Sequence, residues 1–145
     1  MSDLDATVRR LTDLEAIRDL ARRYAHCVFQ KDASGAVDLF TEDGVMDMGD
    51  RPPIEGRAAL REVYEATLGQ TMLQPFVHNH VIDLLGDRAT GVCYLDLRGA
   101  TDGTSMIGSG YYHDDYVRAG DAWKFRSRKL TMCFWVPLGE GWATA

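Results

Sequence analysis

The sequence predicts an α+β fold in which a strongly curved, mostly antiparallel sheet curls over amino-terminal helices to bury its inner face. Three observations carry this. Apolar residues recur at three- and four-residue steps as far as Leu68, alternating strand-like runs begin at Phe76, and Gly-Asp and Asp-Gly turns reverse the chain between those runs. No repeat, low-complexity segment or linker interrupts the 145 residues. Residues 1–145 therefore read as one domain, large enough to bury roughly 70% of its unfolded surface around a single core.

The first helix is predicted to begin at Thr12-Asp13-Leu14-Glu15, a capping-box pattern. Leu14, Ile17, Ala21, Tyr24 and Val28 form its apolar face, Arg18, Arg22 and Arg23 lie away from it, and the helix fades near Lys31. Asp32 caps a short second helix carrying Val37, Leu39 and Phe40, which stops at Asp43-Gly44. A short strand over residues 45–48 follows. Asp50-Arg51-Pro52-Pro53 is a surface loop, because two prolines remove two backbone donors. Helical spacing returns over residues 56–68 through Leu60, Val63, Tyr64 and Thr67. Strands over 76–85 and 89–99 turn at Gly86-Asp87, Asp102-Gly103 opens the next connection, and strands over 106–117 and 123–135 are joined at Ala119-Gly120-Asp121.

Charge and composition narrow the function classes. A formal net charge of -6 argues against nucleic acid, whose phosphates need a basic partner surface. No apolar run approaches the roughly 20 residues that span a bilayer, and Met1-Ser2-Asp3-Leu4-Asp5 lacks the features of a signal peptide, so a cytoplasmic protein is expected. Cys27, Cys93 and Cys133 are odd in number and set among apolar residues, which predicts buried free thiols in a reducing compartment. No Gly-x-Gly-x-x-Gly turn or phosphate loop is present, so the expected chemistry is cofactor-free. The expected partner is a small hydrophobic molecule.

Several segments together carry a family resemblance. They are Ala16-Ile17-Arg18-Asp19-Leu20 with Tyr24-Ala25-His26, Leu39-Phe40-Thr41-Glu42-Asp43-Gly44, and Asn79 with Gly86-Asp87-Arg88-Ala89. Gly110-Tyr111-Tyr112 with Tyr116, Trp123-Lys124-Phe125 and Arg128 complete the set. Over nearly the whole length the chain resembles the SnoaL-like branch of the nuclear transport factor 2-like superfamily, nearest to γ-hexachlorocyclohexane dehydrochlorinase, scytalone dehydratase and bile-acid dehydratases. The resemblance implies a cystatin-like, cone-shaped roll with a deep apolar pocket, and a homo-oligomer, dimer or trimer.

Carried over residue by residue, the resemblance gives a mixed site. The dehydrochlorinase-like aspartate, five residues after the Tyr24 position, falls on Phe29, and the catalytic histidine, four residues before Asn79, falls on Pro75. Both halves of the Asp-His dyad are thus missing. Tyr24 matches a polar pocket position and Arg128 an arginine that lines the site, while Leu95, Leu97, Gly108 and Tyr112 fall on pocket walls. Gly108 stands where the family has a bulkier residue, which predicts a cavity enlarged on that side.

The residues themselves add His78 and His80, the two imidazoles of Pro75-Phe76-Val77-His78-Asn79-His80. Strand alternation sends His80, His78 and Phe76 to the face that carries Ile82 and Leu84, barring a bulge. They read either as structural histidines or as proton carriers of ordinary pKa near neutrality. Arg128, if buried, needs an anionic companion, for which Asp47 and Asp96 are candidates. His78, His80 and Asp47 make too weak a set to predict a metal. Phe29, Met46, Met48 and Phe76 supply soft apolar wall for a ring-shaped guest.

These residues support a cofactor-independent lyase or isomerase acting by proton abstraction on an aromatic or alicyclic molecule. His80, or else His78, would take the proton, with Tyr24 and Arg128 steadying an oxyanion or leaving group. The alternatives are a non-catalytic binding protein of the same fold, favoured by Phe29 and Pro75, and an interaction module that dimerises through the outer sheet face.

Overall fold

The computed structural model describes residues 2–145. Helix α1 (Asp3–Gln30) is capped by Ser2, ten residues before the predicted cap. Ser2 and Asp5 form the capping box: the Asp5 N–H donates to Ser2 Oγ at 3.1 Å and the Ser2 N–H donates to Asp5 Oδ2 at 3.2 Å. Thr12 lies mid-helix instead, its hydroxyl donating to the Val8 carbonyl at 2.8 Å. No Gly or Pro separates the two capping patterns, so the helix runs on to the earlier one. It ends at Lys31, a left-handed cap with φ 57°.

Asp32 caps helix α2 (Ala33–Asp38) by accepting from the Gly35 N–H at 2.9 Å. This helix stops earlier than predicted. Phe40 belongs to strand β1 (Phe40–Asp47), fully buried against Phe125, and its carbonyl accepts both Nε and Nη2 of Arg57. Strand pairing outweighs the weak helical preference of a short segment here. A two-residue strand β2 (Ile54–Glu55) and helix α3 (Arg57–Leu68) follow, then four long strands: β3 (Met72–Leu85), β4 (Arg88–Thr101), β5 (Thr104–Ala119) and β6 (Ala122–Pro137).

The six strands form one curved, unclosed sheet in the order β2-β1-β6-β5-β4-β3. Every pairing is antiparallel except β1 with β6. Packing residues of all three helices meet the inner sheet face in a shared core that includes Ile17, Leu20, Val37, Leu60, Cys93, Leu95 and Phe125. Asp13 ties the helical layer to the sheet: buried in α1, it accepts from Trp123 Nε1 at 3.0 Å and from Arg118 Nη2 at 2.8 Å. Among the described residues, no helix is long and apolar enough to cross a membrane.

Candidate functional site

Between the helices and the sheet lies a cavity of about 630 Å³, within the roughly 300–1,000 Å³ range of small-molecule sites. Tyr24 and Val28 from α1 and Tyr64, Thr67 and Leu68 from α3 form its helical wall. The sheet contributes Met46, Leu73, Pro75, Leu97, Tyr112 and Trp135. Met48, Asp50 and Arg51, from the end of β1 and the Pro-containing loop, also line it.

Its main polar feature is a pair of phenols. The Tyr24 and Tyr64 hydroxyls lie 2.6 Å apart, brought together from positions forty residues apart. Two hydroxyls carry two protons and one is spent between them, so one O–H remains free to donate to a guest. Burial raises the pKa of both phenols, while the nearby Arg128 charge works the other way. They stay protonated donors.

Arg128 lies fully buried beneath this floor. Its carbon centre sits 3.6 Å from the Tyr112 ring centroid, 4.4 Å from Phe125 and 4.5 Å from Tyr24, an arrangement worth up to about 2 kcal/mol per desolvated contact. Nε and Nη2 donate to the two oxygens of Asp114 at 2.9 and 3.1 Å, and Nη1 has no hydrogen-bond partner. Burial disfavours the charged guanidinium, but Asp114 outweighs it and raises its pKa.

Asp114 also accepts from the Tyr116 hydroxyl at 2.8 Å, and Tyr116 Oη lies 2.7 Å from His80 Nε2. Tyr116 has one proton and gives it to Asp114. It therefore accepts from His80, which fixes the Nε2–H tautomer of a neutral imidazole. Burial lowers the His80 pKa to about 4, Asp114 opposing and Arg128 reinforcing the shift. The chain His80–Tyr116–Asp114–Arg128 is thus a continuous hydrogen-bonded buttress under the aromatic floor.

The sequence-predicted residues separate into three groups. Tyr24, Met46, Met48, Leu97 and Tyr112 line the cavity. Arg128, Leu95 and His80 lie behind that lining, Arg128 and Leu95 buried and His80 half-buried. His78, Phe29 and Phe76 are turned elsewhere. The register of β3 against β4 shifts between Val77 and His80, so Leu73, Pro75 and Val77 precede the bulge as inward positions while His80, Ile82 and Leu84 follow it. His78 is left exposed, paired with Asp96 at 2.9 Å. Phe76 is exposed too, with the Phe29 ring edge-on to it and Arg98 over its face.

Further expectations are corrected here. The companion of Arg128 is Asp114, since Asp96 serves His78 and Asp47 accepts from the Gly49 N–H. Gly108 does not enlarge the cavity: a Cβ there would meet the Phe134 carbonyl at 2.5 Å and Trp135 Cε3 at 2.7 Å. The indole occupies the freed space. Cys27 and Cys93 are buried free thiols, but Cys133 is exposed, at the irregularity where β6 skips a residue against β5.

Sequence reasoning missed Tyr64, Asp114 and Tyr116. The last two were within reach, because on β5 they share the period-two face of Gly108 and Tyr112. Among the described residues no group of three or more His, Cys, Asp or Glu is placed to hold a metal ion.

A curved unclosed sheet packed over helices around a cavity is the roll of the nuclear transport factor 2-like, or cystatin-like, class. Within that class the SnoaL-like domain model matches residues 9–129, and the chain belongs to that family. It is 26% identical over 133 residues to an uncharacterized protein of Mycobacterium tuberculosis, covering 88% of this chain and 90% of the relative. A scytalone dehydratase-like protein of Novosphingobium aromaticivorans shares the fold at 20% identity, with TM-score 0.82 over 94% of this chain and 99% of that one. A hexachlorocyclohexane dehydrochlorinase, LinA type 2, does so at 20% identity, with TM-score 0.84 over 94% and 93%.

Proposed function

We propose that the protein is a cofactor-independent lyase or isomerase for a hydrophobic, ring-bearing small molecule with an oxygen that gains negative charge during reaction. The observation that carries this reading is the Tyr24–Tyr64 phenol pair at the floor of an apolar cavity, with buried Arg128 against the Tyr24 ring. A preorganised donor in a dry site is the arrangement that stabilises an oxyanion, and removing one such donor costs about 10²–10³ in rate. The fold shared with the dehydrochlorinase and the dehydratase-like protein supports the same class.

His80 does not serve as the base in this reading, because Tyr116 holds its Nε2 and it is absent from the lining. The carboxylate in the lining is Asp50, an exposed residue of the Pro-containing loop paired with Arg51 at 3.2 Å, and in this reading it takes the proton from the bound molecule. Phe29 and Pro75 favour a second reading, a binding protein that holds the same class of molecule without turnover.

A thermal-stabilisation screen with aromatic, steroid-like and polyketide-like compounds finds the guest, since a ligand at a hundred times its Kd adds about 2.7 kcal/mol. Deuterium uptake at carbon, or elimination product, is then followed in D₂O for the wild type, Tyr24→Phe and Asp50→Asn. Turnover that falls about 10²-fold in Tyr24→Phe and is lost in Asp50→Asn is the expected result. Binding without exchange moves the assignment to the binding protein, and no hit at all removes both readings.

A further inference from the structure

We propose that Trp135 sets the length of ring system that the cavity accepts, admitting two fused rings and turning away four. This rests on the proposed function, in which an oxygen of the guest meets the Tyr24–Tyr64 pair. The sheet delivers the indole through an irregularity. Met132 pairs with Gly110 and Phe134 with Ser109, so β6 carries Cys133 as an extra residue between them. Under plain alternation Phe134 would follow Met132 onto the inner face. With the extra residue Trp135 stands there instead, opposite Gly108, and both Met132 and Trp135 line the cavity. Phe134 does not line it and stacks on Trp142.

Beneath the indole the inner sheet face is bare backbone. Gly108 on β5 and Gly99 on β4 are both buried, and a Cβ on either would crowd the six-membered ring. Trp135 Cε3 lies 2.7 Å from the place of such a Cβ at Gly108, and Cη2 lies 3.1 Å from its place at Gly99. Neighbouring strands without side chains make a trough, and Trp135 fills it. The indole stays half-buried, bordering the cavity. Tyr112, which meets the Tyr24 ring edge-on, lies four residues beyond Gly108 on β5, about 13 Å along the strand. A guest anchored at the phenols and lying along the sheet therefore has roughly that reach before it meets the indole. Two fused rings fit within it. Four extend into the trough and collide with Trp135.

2-Naphthol and estradiol test this, because each presents a phenol, carried on two fused rings in one and four in the other. Dissociation constants are measured by isothermal titration for the wild type, Trp135→Ala and Trp135→Leu, with circular dichroism confirming that each variant folds. The wild type is expected to bind 2-naphthol about tenfold more tightly than estradiol or better, and Trp135→Ala to reverse that preference. Trp135→Leu refills part of the trough and is expected to fall between the two. Equal affinity of the wild type for both probes, a preference unchanged in both variants, or no binding of either probe to any of the three proteins would overturn the proposal. An unchanged preference in a protein whose Tyr24→Phe variant loses turnover strikes the length limit alone. A reversed preference in a protein whose Tyr24→Phe and Asp50→Asn variants turn over like the wild type strikes the proposed chemistry and supports the length limit.

Discussion

Arg128 is a fully buried cation, and its standing depends on one carboxylate. Asp114 meets it with both oxygens and takes the Tyr116 hydroxyl as well, so neutralising that carboxylate strands the guanidinium among Tyr24, Tyr112 and Phe125. Asp114→Asn is expected to lower stability by about 3–5 kcal/mol, the cost of breaking a buried pair by removing one partner, measured as a shift in urea midpoint. At the far end of the chain, His80 makes a pH prediction. Its folded pKa of about 4 lies below the ordinary 6.5, so the unfolded chain takes up the proton first as pH falls. Stability from this group is complete above pH 6.5 and declines as pH drops toward 4. His80→Gln keeps an N–H for Tyr116 without titrating, and its urea midpoint should fall less than the wild type's between pH 7 and pH 4.5. Equal losses in the two proteins would show that another group carries the acid sensitivity.

At the scale of elements, β3 and β5 show what a strand pattern conveys and what it withholds. Alternation along β5 was legible: Gly108, Tyr112, Asp114 and Tyr116 share one face with no interruption, and the wall of the site follows from it. Along β3 alternation failed, because the shift between Val77 and His80 is set by pairing with β4, and nothing in the local residues marks it. That slip is why His80 kept its inward place and His78 and Phe76 lost theirs. The helices show the same division. Spacing found α3 and the end of α1, but the capping pattern at Thr12 put the start of α1 too late, because nothing between it and the Ser2–Asp5 box breaks the helix. Gly108 belongs to this scale too, because its missing Cβ leaves the space that the Trp135 indole of β6 occupies against β5. Gly108→Ala forces the Phe134 backbone and the indole to move together, which is expected to cost about 1–3 kcal/mol. The indole should shift toward the cavity, read as a change in tryptophan fluorescence alongside the denaturation curve.

For the whole molecule, the fold was legible because helix spacing followed by strand alternation leaves few ways to bury both apolar faces. The site was less so, since Tyr24, Tyr64 and Tyr112 come from α1, α3 and β5 and meet only once the sheet has curled. The same curling leaves a hollow of about 630 Å³ inside a chain of 145 residues. Empty interior volume forfeits packing contacts, so a cavity kept for a guest costs stability that a filled one would return. Thr67 offers a direct test: it lines the cavity from α3, and its hydroxyl only repeats a bond to the Val63 carbonyl one turn back. Thr67→Trp projects an indole into the hollow without removing any other contact. Its urea midpoint is expected to match or exceed the wild type's, while ligand-induced thermal stabilisation disappears. Loss of both together would mean that the helical wall has no room for the ring and that the hollow is narrower than its lining suggests.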